Sequence, residues 1–223
     1  VCSKKYDLIM DEDVAIIDEK TRNEKIKNFF VRNKKFLISS LLFIALIILS
    51  YFSLQIYNDR QREAVSNKFN SSIINFKDAD KNKVVSALKE VIYEKDSTYS
   101  PLALYFLIDN DLIEKNSEIN SLFDVLIEKT SLETEIKNLI IYKKALYNAD
   151  FSGENDLLEI LNPVINSESL WKSHALYLVA EYFYSKNEKE KAKEFFNQIL
   201  TLNNANKEIK TESQKRLNRD LSD

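Results

Sequence analysis

Residue types that carry catalysis are scarce in this chain, which has 223 residues but only one His, one Cys and one Gly. Glycine-rich loops that hold phosphates need several glycines, because the backbone must approach the ligand closely and take positive φ angles. With Gly153 as the single glycine, a P-loop, a dinucleotide-binding fingerprint and a nucleophile elbow are excluded. Cys2 has no partner for an intramolecular disulfide, and His174 alone cannot build a histidine zinc site. We expect no metal and no cofactor.

Carboxylates are the other candidates for catalysis. Glu133 and Glu135 could act as an acid and a base. Nothing around them predicts the desolvation that such a pair needs, and a Ser–His–Asp triad would have no usable histidine. The net charge of −3 gives no reason to expect nucleic acid as a partner. We therefore predict that the chain is not an enzyme and has no small-molecule substrate.

Aromatic side chains favour binding instead. Trp171 and His174 are neighbours on one face of a predicted helix and could form a pocket. The alternative is that Trp171 packs against the preceding helix pair and His174 lies on the surface. Several tyrosines could line a concave peptide groove, the usual binding surface of helical repeats, or could pack in the core. The candidate protein-binding residues are Tyr142, Trp171, His174, Tyr177 and Tyr184.

An uncharged apolar segment extends from Phe36 to Leu54 and contains neither Gly nor Pro over its 19 residues. As an α-helix it would be about 28 Å long, close to the hydrocarbon thickness of a bilayer. It is longer than the apolar region of a signal peptide, and no small-x-small cleavage site follows it. We predict one transmembrane helix that contacts the lipid bilayer. Its serines, such as Ser39 and Ser53, could face a partner helix or bond to their own backbone.

Basic residues predict the orientation of this helix. Residues 20–35 contain seven basic and one acidic residue, whereas residues 55–70 contain three basic and two acidic residues. The positive-inside rule then predicts a single-pass protein with a cytoplasmic tail at residues 1–35 and a translocated domain at residues 55–223, which in a bacterium would be periplasmic. The tail has an acidic start followed by a basic juxtamembrane part. Met10, the only methionine, opens the acidic cluster and is the expected true start.

The domain at residues 55–223 shows helical spacing of apolar residues throughout. Residues 102–113 are almost all apolar, as in a buried inner helix. Polar, cap-like breaks at 78–80, 96–100, 116–117, 130–131, 152–153 and 167–169 predict about eight helices of roughly 12–18 residues. Because helices joined by short turns pack antiparallel, the pattern predicts an all-α fold, an α-solenoid of antiparallel helix pairs.

The last predicted pair reads SLWKSHALYLVAEYFYSKNEKEKAKEFFNQILTLN, residues 169–203. A tetratricopeptide (TPR) repeat has a large and then a small residue in its first helix, an aromatic residue three positions later, Gly or Asn at the turn, and Ala and an aromatic residue in its second helix. Small residues let the two helices approach, and aromatic residues fill the space between them. The matching residues are Val179, Ala180, Phe183, Asn187, Ala192, Phe196 and Leu200.

The whole arrangement resembles the bacterial inner-membrane TPR-like family that includes the ancillary subunit of the SecYEG translocon. The resemblance rests on KIKNFFVRNKKFL before the apolar segment, QIYNDRQREAVSNKF after it, and LNPVINSESLWKSHALYLVAEYFYSKNEKEKAKEFFNQIL near the end. It covers nearly all of residues 10–217, although this chain has almost no Gly and little Ala in the slots for small residues. The resemblance implies a role beside the translocon in assisting exported proteins with periplasmic chaperones, and it carries over no catalytic residues.

The leading hypothesis is therefore a non-enzymatic, membrane-anchored TPR-like scaffold for protein–protein interactions on the periplasmic side. Its expected partners are translocon subunits, periplasmic chaperones or exported clients. The alternative is a scaffold for envelope assembly or for the cell-division machinery, which the sequence does not distinguish from the first.

Overall fold

The computed structural model describes residues 24–74, 76 and 80–222, and all regular secondary structure within them is helical. The predicted acidic start and Met10 lie outside the described residues. The chain divides into two compact units between Gln61 and Arg62. This division lies inside the first long helix and beyond Leu54, the predicted end of the membrane segment.

Helix α1 (Lys34–Ile74) contains the predicted apolar segment. It is the one helix in the described ranges that is long and apolar enough to cross a membrane, and none of its most apolar stretch is buried by protein. A core helix of a soluble domain would be mostly covered by its neighbours, so this apolar surface needs a different apolar environment. Ser53 donates from Oγ to the carbonyl of Leu49 at 2.8 Å, which is the backbone bond expected as one of the two alternatives for this residue.

Eight further helices follow α1 in the described part of the second unit. They are 9–15 residues long, and two of them, with 11 and 9 residues, are shorter than predicted. A π-helical segment, Val125–Lys129, directly continues the shortest of them. The helices are α2 (Lys81–Tyr93), α3 (Tyr99–Asp109), α4 (Asn116–Asp124), α5 (Thr134–Asn148), α6 (Glu154–Ile165), α7 (Lys172–Ser185), α8 (Lys189–Thr201) and α9 (Lys207–Arg219).

The apolar run at residues 102–113 is not one buried inner helix. Helix α3 ends at Asp109, because Asn110 leaves the helix and Asp111 takes a φ of 49°. Leu104 and Leu107 are fully buried, whereas Leu102 is 43% exposed. The composition of the run therefore did not predict the early end of the helix or the exposure of Leu102.

Side-chain caps mark the helix starts at two of the predicted breaks. Asp80 Oδ1 accepts from the backbone N–H of Asn82 at the start of α2. Asp96 Oδ1 accepts from the N–H groups of Thr98 and Tyr99 at the start of α3. These carboxylates satisfy backbone donors that have no acceptor within the helix.

The buried residues form two clusters that meet at α5. The first unites the end of α1 with α2, α3, α4 and the π-helical segment, and the second unites α5 with α6 to α9. Ile140 belongs to the first cluster and its neighbour Ile141 to the second. Consecutive helices pack against each other from α5 to α9. Helix α5 thus contributes buried residues to both clusters, and Ile127 of the π-helical segment packs against both of them.

The predicted TPR positions of α7 and α8 are nearly all in the second cluster. Val179, Ala180, Phe183, Ala192 and Phe196 are at most 1% exposed. At the end of α8, Ile199 is buried and Leu200, the last of the predicted TPR positions, is half-buried. At the turn, Asn187 has a φ of 62°, the left-handed conformation that Asn adopts more easily than other non-glycine residues.

Lys95 has the same left-handed conformation, with a φ of 58°, at the exposed end of α2. A residue with a Cβ atom is strained there, so Lys95→Gly should stabilise the fold by roughly 0.5–1 kcal/mol. Lys83→Gly, at an exposed position inside α2, is the matched control and should destabilise it by about 1 kcal/mol. Urea unfolding of the full chain in detergent, followed by circular dichroism, measures both. Equal effects of the two changes would contradict the strain at Lys95.

Candidate protein-binding surface

Helix α7 presents a row of partly buried side chains on the side opposite to several of its fully buried residues. Trp171, His174, Tyr177, Glu181 and Tyr184 recur three or four residues apart, which places them on one helical face. This set is called the α7 face below. Leu176, Val179 and Phe183 occupy the opposite, buried side. The predicted binding residues on this helix therefore lie on one surface. The helices that pack against this surface determine how much of it is accessible.

The first half of the α7 face forms an aromatic cluster with α5. The ring of Tyr142 stacks on Trp171, with centroids 5.8 Å apart and an angle of 20° between the planes. His174 lies 5.0 Å from Trp171 and 5.9 Å from Tyr142, measured between ring centroids. Trp171 thus packs against the preceding helix pair, as one alternative predicted, whereas His174 is half-buried between rings. We call these three residues the aromatic cluster.

Burial in this cluster changes the titration of His174. Desolvation lowers its pKa from the ordinary value of a histidine, and the backbone of Leu170 acts more weakly in the opposite direction. The neutral imidazole is therefore favoured near pH 7. Tyr142 responds in the opposite sense, because burial raises the pKa of its phenol.

The second half of the α7 face is occupied by α9. Arg216 donates from Nη2 to Glu181 Oε2 at 2.7 Å and from Nη1 to Asp220 Oδ2 at 2.9 Å, and its guanidinium lies 5.2 Å from the ring centroid of Tyr184. These bonds raise the pKa of Arg216, with Asp220 as the largest cause. Tyr177 makes an edge-to-face contact with Phe196, 5.5 Å between centroids. Tyr177 and Tyr184 are therefore engaged in packing against Phe196 and Arg216.

A groove that the sequence did not predict lies between α3 and α5. It encloses about 410 Å³ and is lined mainly by apolar side chains. Leu102, at 43% exposed, and Ile136, at 41% exposed, open to solvent within it. We call it the α3–α5 groove. Its lining residues are Ser97, Thr98, Pro101, Leu102, Tyr105, Leu132, Glu133, Ile136 and Leu139.

Tyr105 gives the groove a polar group among apolar ones. Its hydroxyl is buried and has no hydrogen-bond partner among the described residues, and burial raises its pKa to about 12. Lys143 Nζ lies 4.9 Å from the centroid of the same ring. A buried hydroxyl without a partner is costly, so an acceptor brought into the groove would gain a hydrogen bond.

Glu135 connects the groove side of α5 to the start of α7. Its Oε2 accepts from Ser169 Oγ at 2.9 Å and from the backbone N–H of Leu170 at 3.1 Å. This carboxylate therefore holds the loop before Trp171. Glu133 lines the α3–α5 groove instead, so the two carboxylates have separate surroundings. Neither was predicted to have these roles, because the loop lies 34 residues along the chain from Glu135.

No family model, curated protein or solved structure matches this chain. The function is accordingly inferred from the geometry of the two units and from the resemblance seen in the sequence.

His174 makes the stability of the α5–α7 contact depend on pH. Its pKa is lower in the folded than in the unfolded chain, so the unfolded state binds more protons and stability falls as the pH drops below about 6.5. The midpoint of thermal unfolding should therefore decrease from about pH 7.5 to about pH 5.5. His174→Gln should weaken that decrease, because the titrating group is removed. An unchanged pH dependence in this variant would contradict the assignment to His174.

Proposed function

We propose that this chain is a non-enzymatic, membrane-anchored scaffold of TPR-like helix pairs, and that it binds other proteins on the periplasmic side of a bacterial inner membrane. We further propose that it assists exported proteins at the Sec translocon, with periplasmic chaperones. Three features support the proposal: the apolar part of α1, the array of packed helices that follows it in the sequence, and the α3–α5 groove.

The membrane anchor is supported by the exposure of α1. Its apolar side chains have no protein cover, and a helix that is apolar on every side is stable in hydrocarbon rather than in water. The excess of basic residues before Phe36 supports a cytoplasmic N-terminus, and therefore a periplasmic second unit.

The TPR-like array is supported by the order of contacts among the later helices. Each helix packs on the next from α5 to α9, and α7 also contacts both α5 and α9. In a solenoid of helix pairs, the first helix of each pair contacts the first helix of the next pair, which is this pattern. The buried Val179, Ala180 and Phe183 support a TPR-like packing of α7 on α8.

The observation that carries the binding part of the proposal is the α3–α5 groove. Leu102 and Ile136 are each more than 40% exposed and line the same depression, so two apolar side chains from different helices are open to solvent in one place. Such a groove suits an apolar side chain of a bound peptide, and the free hydroxyl of Tyr105 suits a peptide carbonyl. The aromatic cluster includes Tyr142 of the same helix α5, so we include it in the candidate surface.

In-cell photocrosslinking tests which machine this surface serves. A photoreactive amino acid at Leu102, Ile136 or Trp171 should crosslink to translocon subunits, periplasmic chaperones or exported proteins. Glu159 on α6 and Glu194 on α8 are exposed control positions away from the groove and should give few crosslinks. Crosslinks to envelope-assembly or cell-division proteins alone would refute the role in export and favour the alternative scaffold.

Substitutions in the groove test the binding surface itself. Leu102→Asp or Ile136→Asp should weaken partner capture at least about tenfold, because each removes an apolar contact of about 1–2 kcal/mol and places a charge in the groove. Leu146→Asp is the matched control, since Leu146 is on α5, is 49% exposed and does not line the groove.

The readout for these variants is the yield of the crosslinks from Trp171, after circular dichroism has shown that each variant is folded. Equal yields from the Ile136→Asp and Leu146→Asp proteins would place the binding surface elsewhere.

A further inference from the structure

A short basic segment directly precedes the apolar part of α1. Residues 24–35 contain five cations, Lys25, Lys27, Arg32, Lys34 and Lys35, and one carboxylate, Glu24. All five cations are exposed, and in the described part of the chain none of them forms an ion pair. The segment therefore carries an excess of four positive charges (five minus one) that no described residue neutralises.

The same segment has an apolar stripe. Residues 24–32 are helical, and Ile26, Phe29 and Phe30 follow the i, i+3, i+4 spacing of a single helix face. Phe29 and Phe30 are each 57% exposed, with their rings edge to face at 6.0 Å. No described residue of the first unit covers them, although large apolar side chains are costly to leave in water.

The cations flank this stripe on both sides. At 3.6 residues per turn, Lys25 and Arg32 lie along one edge of the stripe, and Lys27 and Lys34 lie along the other. The helix therefore has an apolar centre between two rows of positive charge. This is the distribution of a helix that rests in a membrane surface, with its apolar side among acyl chains and its cations among headgroup phosphates.

We propose that residues 24–35 bind anionic phospholipids at the membrane surface, with Ile26, Phe29 and Phe30 in the interface and the five cations on the lipid phosphates. The apolar segment begins at Phe36, so an inserted α1 holds these cations beside the headgroups. Charge complementarity selects anionic over neutral lipid, and the exposed phenylalanines favour a lipid surface over nucleic acid. The inference rests on the membrane anchor proposed above.

The test uses the full chain with Cys2→Ser, reconstituted in vesicles of phosphatidylcholine with or without one quarter phosphatidylglycerol. An environment-sensitive fluorophore is attached at Phe29→Cys, and quenching by bromine on the lipid chains is measured. Val31→Cys, 68% exposed and on the opposite side of the helix from the stripe, is the matched control position. We expect strong quenching at position 29 in the anionic vesicles, and at least about threefold less both in neutral vesicles and at position 31.

Replacing all five cations by Gln should remove the extra quenching in anionic vesicles. Replacing five exposed lysines of the second unit, Lys81, Lys83, Lys137, Lys189 and Lys207, should leave it unchanged. Equal quenching in neutral and anionic vesicles, or no effect of the five-Gln variant, would overturn the inference. So would a larger signal change with an oligonucleotide than with vesicles.

Carbonate-resistant flotation of the same samples separates this failure from loss of the anchor. A chain that floats but shows no preference for anionic lipid refutes the lipid site alone. A chain that does not float refutes the anchor, and the lipid site with it.

Discussion

The second unit depends on α5 being packed on both sides. Two consecutive residues, Ile140 and Ile141, enter different hydrophobic clusters, so this helix joins the earlier helices to the later ones, together with Ile127 of the π-helical segment. The same helix provides one wall of the α3–α5 groove and the tyrosine of the aromatic cluster. A ligand in the groove would therefore touch the element on which the alignment of the two halves of the core depends.

The sequence predicted those features that depend on local spacing. The apolar helix was expected from Phe36 to Leu54, and the helix boundaries followed from polar breaks because caps such as Asp80 and Asp96 bond to backbone groups within three residues. The tight packing of α7 on α8 was also predictable. Ala180 is small and Phe183 is large, and their spacing places both on the same side of a helix. The TPR-like character of the array and its binding role stay predictions.

Features that depend on distant partners were not predictable. The α3–α5 groove is lined by residues of two helices that are not consecutive in the sequence, such as Leu102 and Ile136, and neither residue shows this in its local pattern. Tyr177 and Tyr184 have the spacing of residues on one binding surface. In the structure, however, the ring of Tyr177 packs against Phe196 and the ring of Tyr184 against the guanidinium of Arg216. The pairing of Arg216 with Glu181 joins residues 35 positions apart, which composition and periodicity do not reveal.

Trp171 is the only tryptophan in the chain, and it stacks on Tyr142 across the junction between α5 and α7. The natural protein thus contains an intrinsic optical reporter at one defined place. Selective excitation of this indole records the docking of two successive helix pairs without any added label, whereas bulk helical signals average over the whole chain. The fluorescence of Trp171 can consequently distinguish partial opening of the array at this junction from complete loss of helix.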